Sequence, residues 1–591
     1  MSVLRFPASL ISTLVLAGSV LPHFASAQIA IYPLRDVRAG QHAIGKTVFQ
    51  GNKIEEFQVE ILGVLENVGP RQSIILAKLS GGPLAETGVM QGMSGSPVYL
   101  DGRLLGAVAL AFNFSKEPIA GIRPIEEMLT VGDPATKPPA ARQSAPRKVA
   151  SNKVGLGNET LASRLIDIAT PVSFSGFTSG TLDQFAPQLK KLGLEPRQGV
   201  ASGGKLPAKM GAPGSLRPGD MIAVELLSGD MTVGAEGTVT AVDGKSVYAF
   251  GHQFMSVGNT ELPFARAEVL TLLPNLNSSF KISSPLEWMG VITEDRSTAI
   301  YGEMGRKADT VPFAITVKDG RRAPLVYHMQ MIQDRVLSPY LVQTAVYSAM
   351  DATERTLGLA SYTLRGGVEF VNGAPPLKLD NSYAGDFNVP LQASTGVAAP
   401  LSSILGAGFD ALKIKSINLQ IEASERKRFL QVDQLTASPK RVHPGDSIEL
   451  AVTLTGENGV EVLKSVRYQV PVGAPEGTLN FTVSDGTVSN ALDYQQMAAE
   501  APKSPTQLVS FLNNLRPNTD AYVRVWRTDP AFQVQGQDLP DPPASVGLIL
   551  ARTQAAQGVW VPRGSKIDEL KIPTGDVVVS GSRTAQVEVV E

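Results

Sequence analysis

Two short apolar runs separated by Asp101-Gly102 constrain the fold of this chain more than any other feature of its sequence. Residues 97–100 and 104–108 flank the dipeptide, and Asp-Gly is suited to the tight turn of a two-residue β-hairpin. A similar arrangement returns at Asp243-Gly244, within the strand-like residues 238–250. Helix signals are scarce around the first hairpin. The pattern therefore predicts a mainly β protein in which short strands are joined by tight turns.

Changes of composition along the chain indicate several structural units. A Pro/Ala/Lys-rich stretch over 133–153 predicts a linker. Alternating segments between 447 and 483, followed by Asp485-Gly486 as a turn, resemble an immunoglobulin-like β-sandwich module. Ser504 and Gln507 form a capping box that predicts the start of a helix. The predicted units are a signal peptide (1–27), a serine-bearing domain (28–132), the linker (133–153), a mixed connecting region (154–214), a histidine-bearing β-rich domain (215–425), the sandwich (426–500) and a C-terminal helix with a β region (501–591).

The first residues have the features of a cleaved secretory signal. Arg5 supplies a positive charge, residues 10–21 are apolar, and the small residues Ala25-Ser26-Ala27 precede Gln28. No later run approaches the roughly 18 apolar residues that a membrane-spanning helix needs. We therefore expect a secreted or periplasmic protein that has no transmembrane anchor after signal cleavage.

The composition excludes several kinds of catalytic and binding site. The chain of 591 residues contains no cysteine, which excludes disulfides, thiolate catalysis and cysteine-ligated zinc. The formal net charge is -2, and no basic cluster is present, which argues against a nucleic-acid partner. Beyond the predicted signal, the histidines are His42, His252, His328 and His443, without an HExxH spacing. We predict no metal site and no cofactor.

The motif Gly92-Met93-Ser94-Gly95-Ser96-Pro97 makes Ser94 the candidate nucleophile. Glycine on both sides allows positive φ angles, so that backbone amide hydrogens can converge on one point and form an oxyanion hole. The alternative is that these Gly and Ser residues only form a tight turn between strands and have no catalytic role. The GxSxG elbow of α/β-hydrolases does not fit, because Ser96 stands where the second glycine should be and no βαβ pattern surrounds it.

Two stretches of the chain resemble the SpoIVB-type serine peptidases, which are secreted bacterial enzymes of the trypsin-like class that make regulatory cleavages. The first, from about 54 to 129, contains Glu86-Thr87-Gly88, the Ser94 motif, Gly106-Ala107-Val108 and the segment 125–129. The second, from about 237 to 305, leads to Phe250-Gly251-His252, which is similar to the strand that ends in the family's catalytic histidine. The histidine half comes first in the family and second here. The resemblance therefore implies a trypsin-like double β-barrel with permuted connectivity.

The third catalytic residue departs from the family pattern. The family has an aspartate shortly before the serine motif, where this sequence has Ser80. A carboxylate at that place fixes the histidine tautomer and stabilises the imidazolium. Asp295, 43 residues beyond His252, could reach back to the ring, or it could be a solvated loop acid. The Ser80 hydroxyl could orient the ring weakly.

The resemblance implies acyl transfer, in which His252 takes the Ser94 proton and the amides of Gly92 and Ser94 form the oxyanion hole. His252 could equally be a packing residue at a strand end. The first functional hypothesis is a secreted serine endopeptidase that makes limited, regulatory cleavages in a protein or peptide of the envelope or the medium. The second is a catalytically weak or inactive secreted or periplasmic binding or scaffold protein that retains the peptidase fold.

Overall fold

The computed structural model describes most of the chain from residue 29 onward. The predicted signal peptide over 1–27 and the predicted linker over 133–153 lie outside the described residues. The described ranges are 29–112, 115–132, 165–168, 170–191, 194–199, 210–276, 278–353, 357–424, 428–499, 502–527, 532–534, 537–539, 543–553, 559–560 and 565–591. Strands predominate over helices in these ranges, so the expectation of a mainly β protein is confirmed.

The first sheet carries the serine motif and has the strand order β4-β1-β2-β3-β6-β5-β7. Because β4 also pairs with β5, the first six strands of that order form a closed cycle of antiparallel pairs. The predicted Asp101-Gly102 hairpin is confirmed, since both residues have positive φ between β4 and β5. The elements are β1 (His42–Gln50), β2 (Lys53–Gly69), β3 (Gln72–Ser80), α1 (Leu84–Thr87), β4 (Pro97–Leu100), β5 (Arg103–Phe112), β6 (Ile119–Pro124), α2 (Ile125–Met128) and β7 (Leu165–Asp167).

The second sheet carries the histidine and has the order β19-β18-β20-β16-β17-β10-β13-β14-β15-β12-β11-β8-β9. An extra pairing of β10 with β11 closes a second cycle, β10-β13-β14-β15-β12-β11. Its elements are β8 (Thr170–Ser175), α3 (Ser179–Lys191), β9 (Leu194–Gln198), β10 (Met221–Gly229), β11 (Thr232–Asp243), β12 (Ser246–Ala249), β13 (Gly258–Leu273), β14 (Phe280–Arg296), β15 (Ala299–Met304), β16 (Thr310–Lys318), β17 (Leu325–Ile332), α4 (Leu337–Asp351), β18 (Leu357–Phe370), β19 (Leu377–Phe387), α5 (Val389–Gly406) and β20 (Ile414–Ser424).

The C-terminal part contains two packed sheets. They have the orders β24-β23-β21-β31 and β22-β32-β25-β26-β30, and they share one apolar core. Strands from Asp520 onward complete both sheets, and β28, β27 and β29 form a separate three-stranded sheet. The elements are β21 (Phe429–Ser438), β22 (Arg441–Val442), β23 (Ser447–Thr455), β24 (Glu461–Gln469), β25 (Gly477–Ser484), α6 (Gly486–Ala499), α7 (Pro505–Asn513), β26 (Asp520–Arg527), β27 (Phe532–Val534), β28 (Gln537–Leu539), α8 (Ala544–Thr553), β29 (Val559–Trp560), β30 (Ser565–Pro573), β31 (Val578–Ser580) and β32 (Ser582–Val589).

Two local predictions in this part had different outcomes. The helix start at Ser504 is confirmed, because its hydroxyl accepts a hydrogen bond from the Gln507 amide at 3.2 Å at the start of α7. The prediction of a turn at Asp485-Gly486 was wrong. Asp485 instead accepts from the Val488 amide at 2.8 Å and caps α6, since a short acidic side chain suits a helix N-terminus as well as a turn. No helix in the described ranges is both long and apolar enough to cross a membrane.

Candidate active site

The serine motif forms a buried turn between α1 and β4. Gly92 and Gly95 have φ angles of +90° and +91°, which L side chains rarely adopt. A Cβ atom on Gly95 would lie 2.0 Å from the carbonyl oxygen of Thr238 and 2.5 Å from the amide nitrogen of Phe250. The Ser94 side chain is buried at 0% exposure, and its Oγ has no hydrogen-bond partner among the described residues. The motif therefore has the backbone that the sequence predicts, and it packs directly on the histidine-bearing half.

The backbone amides of this turn divide into two groups. In the part of the chain that the structure describes, the amides of Gly92 and Ser94 donate no hydrogen bond. Preorganised amides of this kind can stabilise the negative charge that develops in acyl transfer. The other three amides donate to backbone carbonyls: Met93 to Met90 at 3.1 Å, Gly95 to Val108 at 2.8 Å and Ser96 to Met93 at 2.9 Å. The two amides without acceptors are those that the family resemblance assigns to the oxyanion hole.

Strand β11 of the second sheet holds the carbonyl oxygens of the same turn. The amide of Thr238 donates to the Ser94 carbonyl at 2.8 Å. The hydroxyl of Thr238 donates to the Gly92 carbonyl at 2.8 Å, and the hydroxyl of Thr240 donates to the Gly95 carbonyl at 2.7 Å. Both threonines are buried at 0% exposure. Sequence reasoning missed them because a threonine inside a strand is ordinary, and its partner becomes visible only when the sheets pack.

His252 follows β12 and lies at the boundary with the first sheet. Phe250 and Gly251 before it both have positive φ, which is rare for a buried aromatic residue and typical of functional sites. A Cβ atom on Gly251 would lie 3.1 Å from the Ala109 Cβ in β5. Arg123 of β6 donates from Nε to the Gly251 carbonyl at 3.4 Å. The segment that carries His252 therefore contacts the serine-bearing sheet, as the segment that carries Ser94 contacts β11.

The imidazole of His252 is 1% exposed, and its Nδ1 lies 2.6 Å from the Gln253 carbonyl oxygen. A carbonyl oxygen can only accept, so Nδ1 carries the hydrogen in the neutral ring and Nε2 is the basic nitrogen. This is the tautomer that a general base needs. A backbone carbonyl thus occupies the place at Nδ1 that a carboxylate takes in the Ser-His-Asp triad of serine peptidases.

The two candidates for the third residue lie in different surroundings. The Asp295 carboxylate, 1% exposed, accepts from the amides of Phe254 and Met255 at 2.7 Å each and of Val257 at 3.2 Å. It therefore organises the loop that directly follows His252 and is not a solvated acid. Ser80 is an exposed residue at the end of β3, opposite Gln58 of β2.

A group of three buried ionisable residues was not found from the sequence, and one of them, Lys281, lies against Gly92 of the turn. Glu225 in β10, Glu236 in β11 and Lys281 in β14 are 5%, 6% and 1% exposed. Burial raises the pKa of Glu225 to about 8 and of Glu236 to about 7, and it lowers the pKa of Lys281 to about 7. The sequence feature that could have identified these residues is a single charged residue inside an apolar run, such as Glu225 within residues 221–227. No group of three metal-ligating side chains occurs in the described ranges.

Comparison with known proteins gives one finding for the serine-bearing part of the chain. Residues 16–129 match the family model described as SpoIVB peptidase S55. The match includes the whole Ser94 turn and ends before the second sheet. No curated protein and no solved structure matches the chain.

Proposed function

We propose that the protein is a serine endopeptidase of the SpoIVB type, with Ser94 as the nucleophile and His252 as the general base. The similarity of residues 16–129 to that peptidase family indicates a protein substrate. The observation that carries the proposal is the turn itself, which leaves the amides of Gly92 and Ser94 without acceptors and packs against Phe250, two residues before His252. The substrates we propose are proteins of the envelope or the medium, which the enzyme cleaves at few sites.

The proposed reaction uses only these groups. His252 Nε2 takes the proton of Ser94 Oγ while the oxygen forms a bond to the carbonyl carbon of the scissile peptide. The resulting oxyanion accepts hydrogen bonds from the amides of Gly92 and Ser94. His252 then gives the proton to the leaving amine as the C–N bond breaks, and a water molecule hydrolyses the acyl-serine by the same route.

In this proposal Asp295 is a positioning residue. It accepts three amide hydrogen bonds from the loop that begins after Gln253, and the Gln253 carbonyl lies against His252 Nδ1. The carboxylate thereby fixes the backbone directly after Gln253, and so it positions the carbonyl oxygen that accepts from the imidazole ring. It takes over, through the backbone, the orienting function of the aspartate that the family motif would place near Ser80.

The proposed architecture is a permuted trypsin-like double β-barrel with an immunoglobulin-like module. Two cycles of six antiparallel strands support the barrels, one carrying Ser94 and the other carrying His252. The packed C-terminal sheets with their shared core support the module. The leader-like first residues support a secreted or periplasmic location.

One observation favours the second hypothesis, a binding or scaffold protein that retains the peptidase fold. Ser94 and His252 are 0% and 1% exposed, so a peptide carbonyl can reach Ser94 only if neighbouring groups move. A peptidase of this kind would have low activity until a partner or a substrate opens the site.

The test is covalent labelling of the mature protein with a fluorophosphonate, which reacts with an activated serine. Labelling should disappear in Ser94→Ala and His252→Ala. It should remain in the matched controls Ser115→Ala and His443→Ala, whose side chains are exposed and lie outside the site. Absence of labelling in folded wild-type protein, also with candidate partners present, would favour the binding protein.

A further inference from the structure

The start of strand β14 and the residue before it bind the chain at the first end of the turn. The Gln91 amide donates to the Ser279 carbonyl at 2.9 Å, and the Lys281 amide donates to the Gln91 carbonyl at 3.2 Å. The side-chain stem of Lys281 lies against Gly92, because a Cβ atom on Gly92 would be 3.1 Å from Lys281 Cδ and 3.3 Å from its Cβ. The aliphatic part of the Lys281 side chain therefore packs against Gly92, at the N-terminal end of the turn.

The ammonium group of Lys281 reaches the other end of the turn. Its Nζ donates to Thr47 Oγ1 at 2.8 Å, and the Ser96 hydroxyl donates to the same oxygen at 3.0 Å. Thr47 and Ser96 are both buried at 0% exposure. A hydroxyl oxygen has two lone pairs and can accept both bonds. One side chain thus contacts Gly92 directly and Ser96 through Thr47.

The charge on this lysine is balanced from the neighbouring strands. Glu236 of β11 interacts electrostatically with Lys281, and Glu225 of β10 interacts with Glu236. Ser173 of β8 donates to Glu236 at 3.4 Å. An isolated buried ammonium is costly, so the lysine and a carboxylate must be charged together or not at all. An apolar side chain would fill this space, next to Met221, without that cost.

We propose that Lys281 is a positioning residue of the candidate site: bound to Thr47 and balanced by Glu236, it keeps the turn in the conformation that presents the Gly92 and Ser94 amides. This inference rests on the proposed function in taking those two amides as the oxyanion hole. It adds a pH dependence, because a protonated Nζ donates a stronger, charge-assisted hydrogen bond to Thr47 than the neutral amine does. Among the described residues, Glu236 is the titratable group that interacts electrostatically with Lys281, and Glu225 in turn interacts with Glu236.

The test uses the double variant Lys281→Met, Glu236→Gln, which removes both charges and so avoids an unpaired buried ion. Hydrogen exchange of the segment 88–100 is measured by mass spectrometry from pH 5.5 to 9 and corrected for intrinsic rates. In the wild type, exchange of this segment should rise about tenfold as Lys281 loses its proton above about pH 7. In the double variant it should be fast at every pH, while residues 447–455 of the sandwich should be unchanged.

Fluorophosphonate labelling over the same range gives the second readout. The wild-type rate should fall on the alkaline side, whereas the double variant should label at least tenfold more slowly and lose this alkaline fall. The variant Lys281→Arg, which keeps a charge, should restore part of the rate. A folded double variant with wild-type exchange in segment 88–100 would overturn the proposal. Because exchange does not require activity, this result is distinct from a wild type that never labels, which would count against the peptidase.

Discussion

The backbone amide of Thr238 donates to the carbonyl oxygen of Ser94 at 2.8 Å. Thr238 lies in the second sheet and Ser94 in the turn that precedes β4 of the first sheet, and more than a hundred positions of the chain separate them. The conformation of the candidate nucleophile is therefore determined by the half of the protein that carries the candidate base. Changes at this boundary should affect the site before they affect the rest of the fold.

Thr238→Val should slow fluorophosphonate labelling without unfolding the protein. The variant loses the hydroxyl bond to the Gly92 carbonyl but keeps the amide bond to Ser94. One hydrogen bond contributes about 0.5–1.5 kcal/mol, which corresponds to a rate loss of about two- to tenfold. The exposed Thr436→Val in the sandwich is the matched control and should label at the wild-type rate. Equal rates in both variants would show that the Thr238 hydroxyl has no role at the turn.

Gly95→Ala should destabilise the contact between the two halves. The new Cβ would lie 2.0 Å from a backbone oxygen of β11, at a φ of +91°. Strain and overpacking together predict a loss of about 2–5 kcal/mol in the free energy of unfolding, measured by urea denaturation. Gly40→Ala has a similar φ of +84° and nothing within 4 Å of its Cβ, so it should lose only about 1–2 kcal/mol. Similar losses in the two variants would contradict the steric account.

Asp295→Asn should lower the labelling rate. An amide side chain cannot accept all three loop amides, and bonds to a charged acceptor contribute about 1.5–3 kcal/mol. We expect a tenfold or greater loss in rate.

The control for this prediction is Asp319→Asn. Asp319 also accepts two loop amides, those of Arg321 and Arg322 at 2.9 Å each, but in the turn between β16 and β17. Its labelling rate should match the wild type. An equally slow Asp319→Asn, or an Asp295→Asn variant that labels at the wild-type rate, would contradict the positioning role.

Glu225→Gln should stabilise the protein at alkaline pH. Burial raises the pKa of this carboxyl to about 8 in the folded state, well above its usual value in an unfolded chain. The folded protein therefore keeps a proton that the unfolded chain releases, and stability from this group is full at low pH and decreases as pH rises toward 8. The glutamine variant lacks this loss, so its melting temperature should match the wild type near pH 4.5 and exceed it near pH 8.5. A constant difference across this range would show that Glu225 does not titrate between the two states.

Several elements could be predicted because their causes are local. Asp101-Gly102 forms its hairpin because both residues adopt positive φ, and Ser504 starts α7 because its hydroxyl reaches an amide three residues on. The positive φ of Gly92 and Gly95 follows equally from the residue type. Asp485 shows the limit of local inference, since its carboxylate can serve a turn or a helix N-terminus, and only the following chain decides between them.

The sequence by itself determined the strand-rich character of the chain and the glycine-flanked serine turn with Ser94, because these depend on residue type and short spacing. It indicated His252 only through the resemblance of residues 250–252 to the SpoIVB family. The tertiary structure alone decided which groups surround them. Thr238, Lys281 and Asp295 act across strands that are distant in sequence, and their partners exist only after the sheets have packed. The physical reason is that burial and hydrogen-bond geometry are properties of contacts between segments, and no short stretch of sequence encodes them.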